Sequence, residues 1–125
     1  MVLLDTHVLL WMLFDDSQLS TNAVYALQHQ LCSVSIVSVW EIAIKTSLGK
    51  LKLPKTLQEI CAECLKMGIT ILDITSEDCM TLQGLSWIHR DPFDRMILSQ
   101  AIHGNMPVIT HDGKMKRYDA VSIIW

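Results

Sequence analysis

The chain has 125 residues, a mass of 14.2 kDa and a net charge of -3 at pH 7; half of it is hydrophobic and its mean hydropathy is +0.32. That length predicts one domain, 1–125, able to bury a sizeable core, and the composition excludes intrinsic disorder. The acidic balance, with a pI of about 5.9, excludes a protein coated in basic charge while leaving room for a local basic patch.

The longest unbroken apolar run, Val8 to Phe14, is seven residues, whereas a membrane-spanning helix needs about 20. The opening MVLLDTHVLLW has no basic lead segment and carries Asp5 within its apolar part, so it is not a secretory signal. A cytoplasmic protein with no membrane segment is expected. Its four cysteines (Cys32, Cys61, Cys64, Cys79) then read as reduced thiols. Cys61 and Cys64 alone have metal or redox spacing, but they fall within a helical stretch and no second ligand pair accompanies them, so they read as helix-face residues.

Short apolar runs alternate with helical patterns, the signature of a parallel sheet covered by helices. Met1 to Leu4 predicts a first strand, followed by a helix containing Val8 to Phe14. Ser20 or Thr21 caps a second helix reaching about Gln30, and Cys32 to Val37 is the second strand. Ser38-Val39-Trp40-Glu41 has the form of a capping box, which starts a helix there and ends it at Gly49. Thr56-Leu57-Gln58-Glu59 is a second box, opening a helix that closes at Gly68. Ile69 to Ile74 is the third strand, and Ser76 caps a short helix to about Leu85. Asp91-Pro92-Phe93-Asp94 combines an Asp cap, Pro at the first helical position and an acid at the third; that helix stops at Gly104. Met106 to Thr110 and Val121 to Trp125 complete the five strands of a three-layer α/β/α domain whose sheet is mostly parallel.

On this plan Asp5 ends the first strand, Glu41 lies in the first turn after the second, and Asp112 follows the fourth. Asp91 and Asp94 open the helix feeding the fourth strand. Sites in open parallel sheets lie beyond the carboxyl ends of the strands. Acids gathered in one cleft repel one another and call for a compensating cation. Oxygen-only ligands suit Mg²⁺ or Mn²⁺ rather than zinc. Basic residues sit close to these acids: Lys45, Lys50, Lys52 and Lys55 are four of the seven lysines, and Arg90 and Arg95 flank the DPFD turn. A basic rim around a metal-filled acidic centre fits a polyphosphodiester, with Lys45, Lys50, Arg90 and Arg95 as candidate contacts to its backbone.

LLDTHVLLW at 3–11, SVSIVSVWEIAIKTSLGKLKLP at 33–54, HRDPFDRMILSQAI at 89–102 and VITHD at 108–112 resemble a PIN domain, in the VapC-like toxin branch of bacterial toxin–antitoxin pairs. The resemblance spans essentially the whole chain. It implies a Mg²⁺- or Mn²⁺-dependent endoribonuclease that hydrolyses RNA phosphodiesters with a metal-activated water. Carried over by position, it implies that Asp5, Glu41, Asp94 and Asp112 are the catalytic, metal-holding acids. Asp91 is then an additional acid, and Thr6 and Thr110 are hydroxyl neighbours that orient ligands or water. A cognate antitoxin and a homodimer are the implied partners.

Three other readings compete. A response-regulator receiver domain needs an acidic pair after the first strand, but Asp5 stands alone. A haloacid-dehalogenase-type phosphatase needs Asp-x-Asp, but His7 holds the second position. A non-catalytic PIN-like binding module shares the fold and differs only in lacking activity.

Overall fold

The computed structural model describes residues 1–125. Five strands, β1 (Val2–Leu4), β2 (Cys32–Ser35), β3 (Thr70–Leu72), β4 (Val108–Ile109) and β5 (Ile123–Ile124), alternate with six helices, α1 (Thr6–Phe14), α2 (Thr21–His29), α3 (Ile36–Ser47), α4 (Leu57–Lys66), α5 (Ser76–Gln83) and α6 (Pro92–His103). The strands make one sheet in the order β3-β2-β1-β4-β5, with every neighbouring pair parallel. This is the expected α/β class. No helix is long and apolar enough to cross a membrane.

β1 sits in the middle and is covered on both faces; Val2, Leu3 and Leu4 are fully buried. A strand turns successive side chains to opposite faces. Val2 and Leu4 accordingly join Val34 and Ile109 against Val8 and Leu9 of α1, Ala23 and Ala26 of α2, Ile42 of α3 and Cys64 of α4. Leu3 and Val108 face the other way, onto Ile97, Leu98 and Ala101 of α6, with Met115, Tyr118 and Val121. The unbroken apolar run of β1 reflects this two-sided burial. The four cysteines are free thiols, and the Cys61–Cys64 pair lies on α4 as its sequence context implied.

Some helix starts differ from expectation. The helix expected from Ser38 begins at Ile36, and its cap is Ser35, whose hydroxyl accepts from the Val37 N–H. The β-branched pair Ile36-Val37 reads as strand, yet it forms the first helical turn because packing overrides propensity. Glu41 therefore sits in the second turn, too far along to close a box. Likewise Thr75, with Asp78 completing its box, caps α5 in place of Ser76. The box at Thr56 and Glu59 and the cap at Asp91 form as expected.

Three of the helix ends share one device. After α3 and α4, Gly49 and Gly68 take φ of +70° and +75°, and the next amides reach back to the Lys45 and Cys64 carbonyls at 2.9 Å. These are Schellman closures. In α6 the left-handed residue is Asn105 (φ 51°) rather than Gly104, which has φ -85°. Gly104 sits in a tight place instead: a Cβ there would lie 2.9 Å from the movable end of the Met106 side chain and 3.2 Å from the Gln100 carbonyl. Gly68→Ala has ample room but the wrong backbone sign, so it should destabilise the fold by about 1–2 kcal/mol, read as a lowered Tm in thermal unfolding.

Candidate metal centre

The strand order reverses between β1 and β4, and in open parallel sheets ligands bind at that switch point beyond the carboxyl ends. Asp5 immediately follows β1, while Thr110 immediately follows β4 and Asp112 comes two residues later. Asp5 is the N-cap of α1: its Oδ1 accepts from the Val8 N–H at 3.1 Å, and its Oδ2 accepts from the Thr110 hydroxyl. The Thr110 oxygen accepts from the Asp112 N–H at 3.0 Å, so one hydroxyl couples two of the acids. Asp112 Oδ1 in turn accepts from the Lys114 and Met115 amides, both at 2.8 Å.

Glu41 enters from α3 and is buried. Its Oε1 takes the Thr6 hydroxyl at 2.8 Å, and Lys45, one turn on, reaches Oε2 at 2.5 Å. Thr6 also lies 2.8 Å from the Ser38 hydroxyl. Since a carboxylate only accepts, Thr6 donates to Glu41 and must take its other bond from Ser38. The contact with Glu41 raises the Lys45 pKa above its ordinary value, with Asp91 and Asp94 adding to the effect. Lys45 is therefore held within the acidic cluster.

Asp94 is the third residue of α6. Asp91 caps that helix, its Oδ1 accepting from the Phe93 and Asp94 amides at 2.9 and 3.1 Å. Burial first, and then the carboxylates of Asp91, Asp5, Glu41 and Asp112, push the Asp94 pKa up to about 8. Burial also raises Asp5 above its ordinary value, against the opposing bonds from Thr110 and Val8. The four acids predicted from sequence thus share one electrostatic neighbourhood, with Thr6 and Thr110 in direct contact with two of them.

His89 is the residue the sequence reading missed. It is buried, and its Nε2 lies 2.8 Å from Asp94 Oδ2 and 3.4 Å from Asp112 Oδ1. Neither approach is in line for a hydrogen bond, so Nε2 has no partner. Nδ1 accepts from the Asp91 N–H at 3.3 Å, which places the proton of the neutral ring on Nε2, facing the carboxylates. A ligand atom from each of His89, Asp94 and Asp112 lies within 4.8 Å of the others. The only signal in the sequence was a histidine two residues ahead of a helix cap.

Arg95 does not meet its expectation as a surface cation. It is 3 % exposed, and its guanidinium donates to the carbonyls of Leu85, Ser86 and His89 at 2.8–3.1 Å beneath the Trp87 ring. Tyr118 assists by donating to the Ser86 carbonyl at 2.6 Å and accepting from the His89 N–H at 2.8 Å. Together they fix the segment that carries His89. Lys50 and Arg90 remain exposed.

Crowded carboxylates in an oxygen-rich donor set fit a hard divalent cation. In the metal-free protein, an acid whose folded pKa exceeds its unfolded value contributes stability that is complete below about pH 4. For Asp94 that contribution is lost as pH rises from its ordinary 3.8 to about 8. Asp94→Asn should flatten this slope and raise Tm by several degrees at pH 7.5 in EDTA. A variant that melts at or below the wild-type temperature under those conditions would refute the strain assigned to Asp94.

The PIN domain family profile matches residues 2–121. Among solved structures, the chain is similar to VapBC2 from Rickettsia felis bound to a DNA fragment from its promoter, at 16% identity, covering 98% of this chain and 96% of that chain, with a TM-score of 0.69. It is similar to FitAcB from Neisseria gonorrhoeae at 20% identity, 98% and 96% coverage and a TM-score of 0.66. It is also similar to DNA-bound VapBC from Salmonella typhimurium at 16% identity, 98% and 97% coverage and a TM-score of 0.63. No curated protein matches it in sequence. At such identities the structural likeness speaks for the fold, and the profile, which covers nearly the whole length, gives the family: the chain belongs to the PIN domain family.

Proposed function

We propose that this chain, a single PIN domain over 1–125, is a Mg²⁺- or Mn²⁺-dependent endoribonuclease acting in the cytoplasm as the toxin of a toxin–antitoxin pair. The observation that carries the reading is the convergence of Asp5, Glu41, Asp94 and Asp112 at the switch point, with the Asp94 pKa pushed up to about 8. A chain needing only to bind a partner has no physical reason to keep such repulsion. The likeness in fold to VapBC complexes supports the toxin assignment.

Asp5, Glu41, Asp94 and Asp112 would hold the cation. A bound divalent ion supplies charge neutralisation at phosphorus and activation of water. The protein's own residues supply position. Thr110 and the Val8 amide hold Asp5, while Thr6 and Lys45 hold the two oxygens of Glu41. His89 faces Asp94 and Asp112. Exposed Lys50 and Arg90 are the candidate phosphate contacts outside the cleft, with Lys45 at its edge. Two protein partners complete the proposal: a second copy of the chain and a cognate antitoxin. Exposed apolar side chains such as Tyr25 (63%), Leu65 (67%) and Trp87 (73%) support docking of this kind.

RNA cleavage should require Mg²⁺ or Mn²⁺ and stop in EDTA. Asp5→Asn should lower it by at least about a hundredfold while melting no lower than wild type, because Asn still caps α1 and one repelling charge is gone. Full cleavage by Asp5→Asn, or in EDTA, would sink the assignment.

The two acids of the DPFD turn should separate in the same assay. Asp91→Ala should cost about 1 kcal/mol of stability as a lost cap, with a smaller effect on turnover. Asp94→Asn should abolish turnover in a folded protein. The reverse pattern would exchange their roles.

A further inference from the structure

Beside the acids lies a group of rings that the hydrolytic reading does not use. His7 and Trp11 of α1, His111 between Thr110 and Asp112, and the terminal Trp125 form one cluster. Ring centroids are 5.8 Å apart for His7–Trp11, 6.5 Å for Trp11–His111, 5.9 Å for Trp11–Trp125 and 4.9 Å for His111–Trp125. Trp11 and Trp125 are half-buried and pack against the core, whereas His7 and His111 are exposed. A pocket of about 220 Å³ is lined by Asp5, His7, Trp11, His111 and Asp112 alone. One part of its wall is carboxylate; the rest is aromatic. Burial of the two indoles explains their own positions but not why two exposed imidazoles stand over the same opening.

We propose that this aromatic wall is a stacking subsite for one unpaired nucleobase of the substrate, next to the phosphate that the acids engage. The proposal rests on the nuclease reading. A nucleotide has an anionic phosphate and a flat π-face on either side of one sugar, and the pocket offers complementary parts in the same order. Aromatic and histidine rings take up splayed bases in this way, and stacking tolerates any base sequence. Inside a duplex the face of a base is already covered, so the subsite selects single-stranded RNA or loops. A basic peptide, whose guanidinium groups also stack on rings, is the competing occupant that the test separates.

The test uses a single-stranded RNA that the wild type cuts in Mn²⁺, with KM and kcat measured for wild type, His111→Ala and His111→Phe. His111→Ala should raise KM on the order of ten- to a hundredfold, far more than it lowers kcat, and His111→Phe should stay near wild type. Replacing the nucleotides beside the cleaved bond with abasic ones should produce the same loss in wild-type protein and little further loss in His111→Ala. That arm involves no substitution and does not depend on a variant folding. Unchanged KM for both His111→Ala and the abasic RNA overturns the subsite. Loss only of binding to a protein inhibitor overturns it too, reassigning the rings to a partner surface. A wild type inactive on every RNA with Mn²⁺ fails the nuclease reading and the subsite with it, a result distinct from the other two.

Discussion

Like charges gathered in a small, partly dry space are the constraint around which the molecule is built. Two unit charges 4 Å apart interact by about 4 kcal/mol at an effective dielectric of about 20, the equivalent of about three pKa units. The upward displacement of Asp94 to about 8, driven first by burial and then by four other carboxylates, is of that order. A chain left to relax would swing these side chains into solvent. Here each is prevented from doing so by the element it stands on: a helix cap for Asp5, the second turn of α3 for Glu41, the first turn of α6 for Asp94 and the turn after β4 for Asp112.

The restraints are mostly neutral, and that choice matters. Hydroxyls of Thr6 and Thr110 and the amides of Val8, Lys114 and Met115 orient the oxygens without cancelling their charge. Lys45 is the only cation in salt-bridge contact with any of the four acids when histidine is neutral. Arg95, which could have quenched the cluster, is turned instead onto three backbone carbonyls. The centre is thereby oriented and left electrically unsatisfied, the condition under which a divalent ion gains most from binding.

Much of this was legible in the sequence because it is local. Asp91-Pro92, the box at Thr56 and Glu59, and the glycines at 49 and 68 each carry their mechanism within four or five residues, and each forms. Three of the acids were legible for a related reason: Asp5 and Asp112 follow strands and Asp94 opens a helix, so topology brings them to one edge of the sheet, whereas Glu41 stands a turn further into α3 than its apparent capping box implied. Ser35 and Ser38 were not separable from sequence, since both precede a helix-compatible run and only packing decides that Ile36 and Val37 turn helical. Nor could charge type reveal that Arg95 points inward. His89 stayed hidden because its role depends on a fold held together by Tyr118 from 29 positions away.

The shortness of the strands ties these observations together. β4 has two residues and β1 three, so the sheet supplies little ladder beyond what fixes Leu3 and Leu4 opposite Val108 and Ile109. That register is nevertheless sufficient. It sets Asp5 and Thr110, the next residue on each strand, within hydrogen-bonding reach of one another, and slippage by one residue would turn Thr110 to the opposite face. Leu4 and Ile109 are fully buried on one side of the sheet and Leu3 and Val108 on the other, so a slip would also expose or clash both cores. The apolar packing that stabilises the fold is therefore the same interaction that holds the repelling acids in register, and loss of one would be loss of the other.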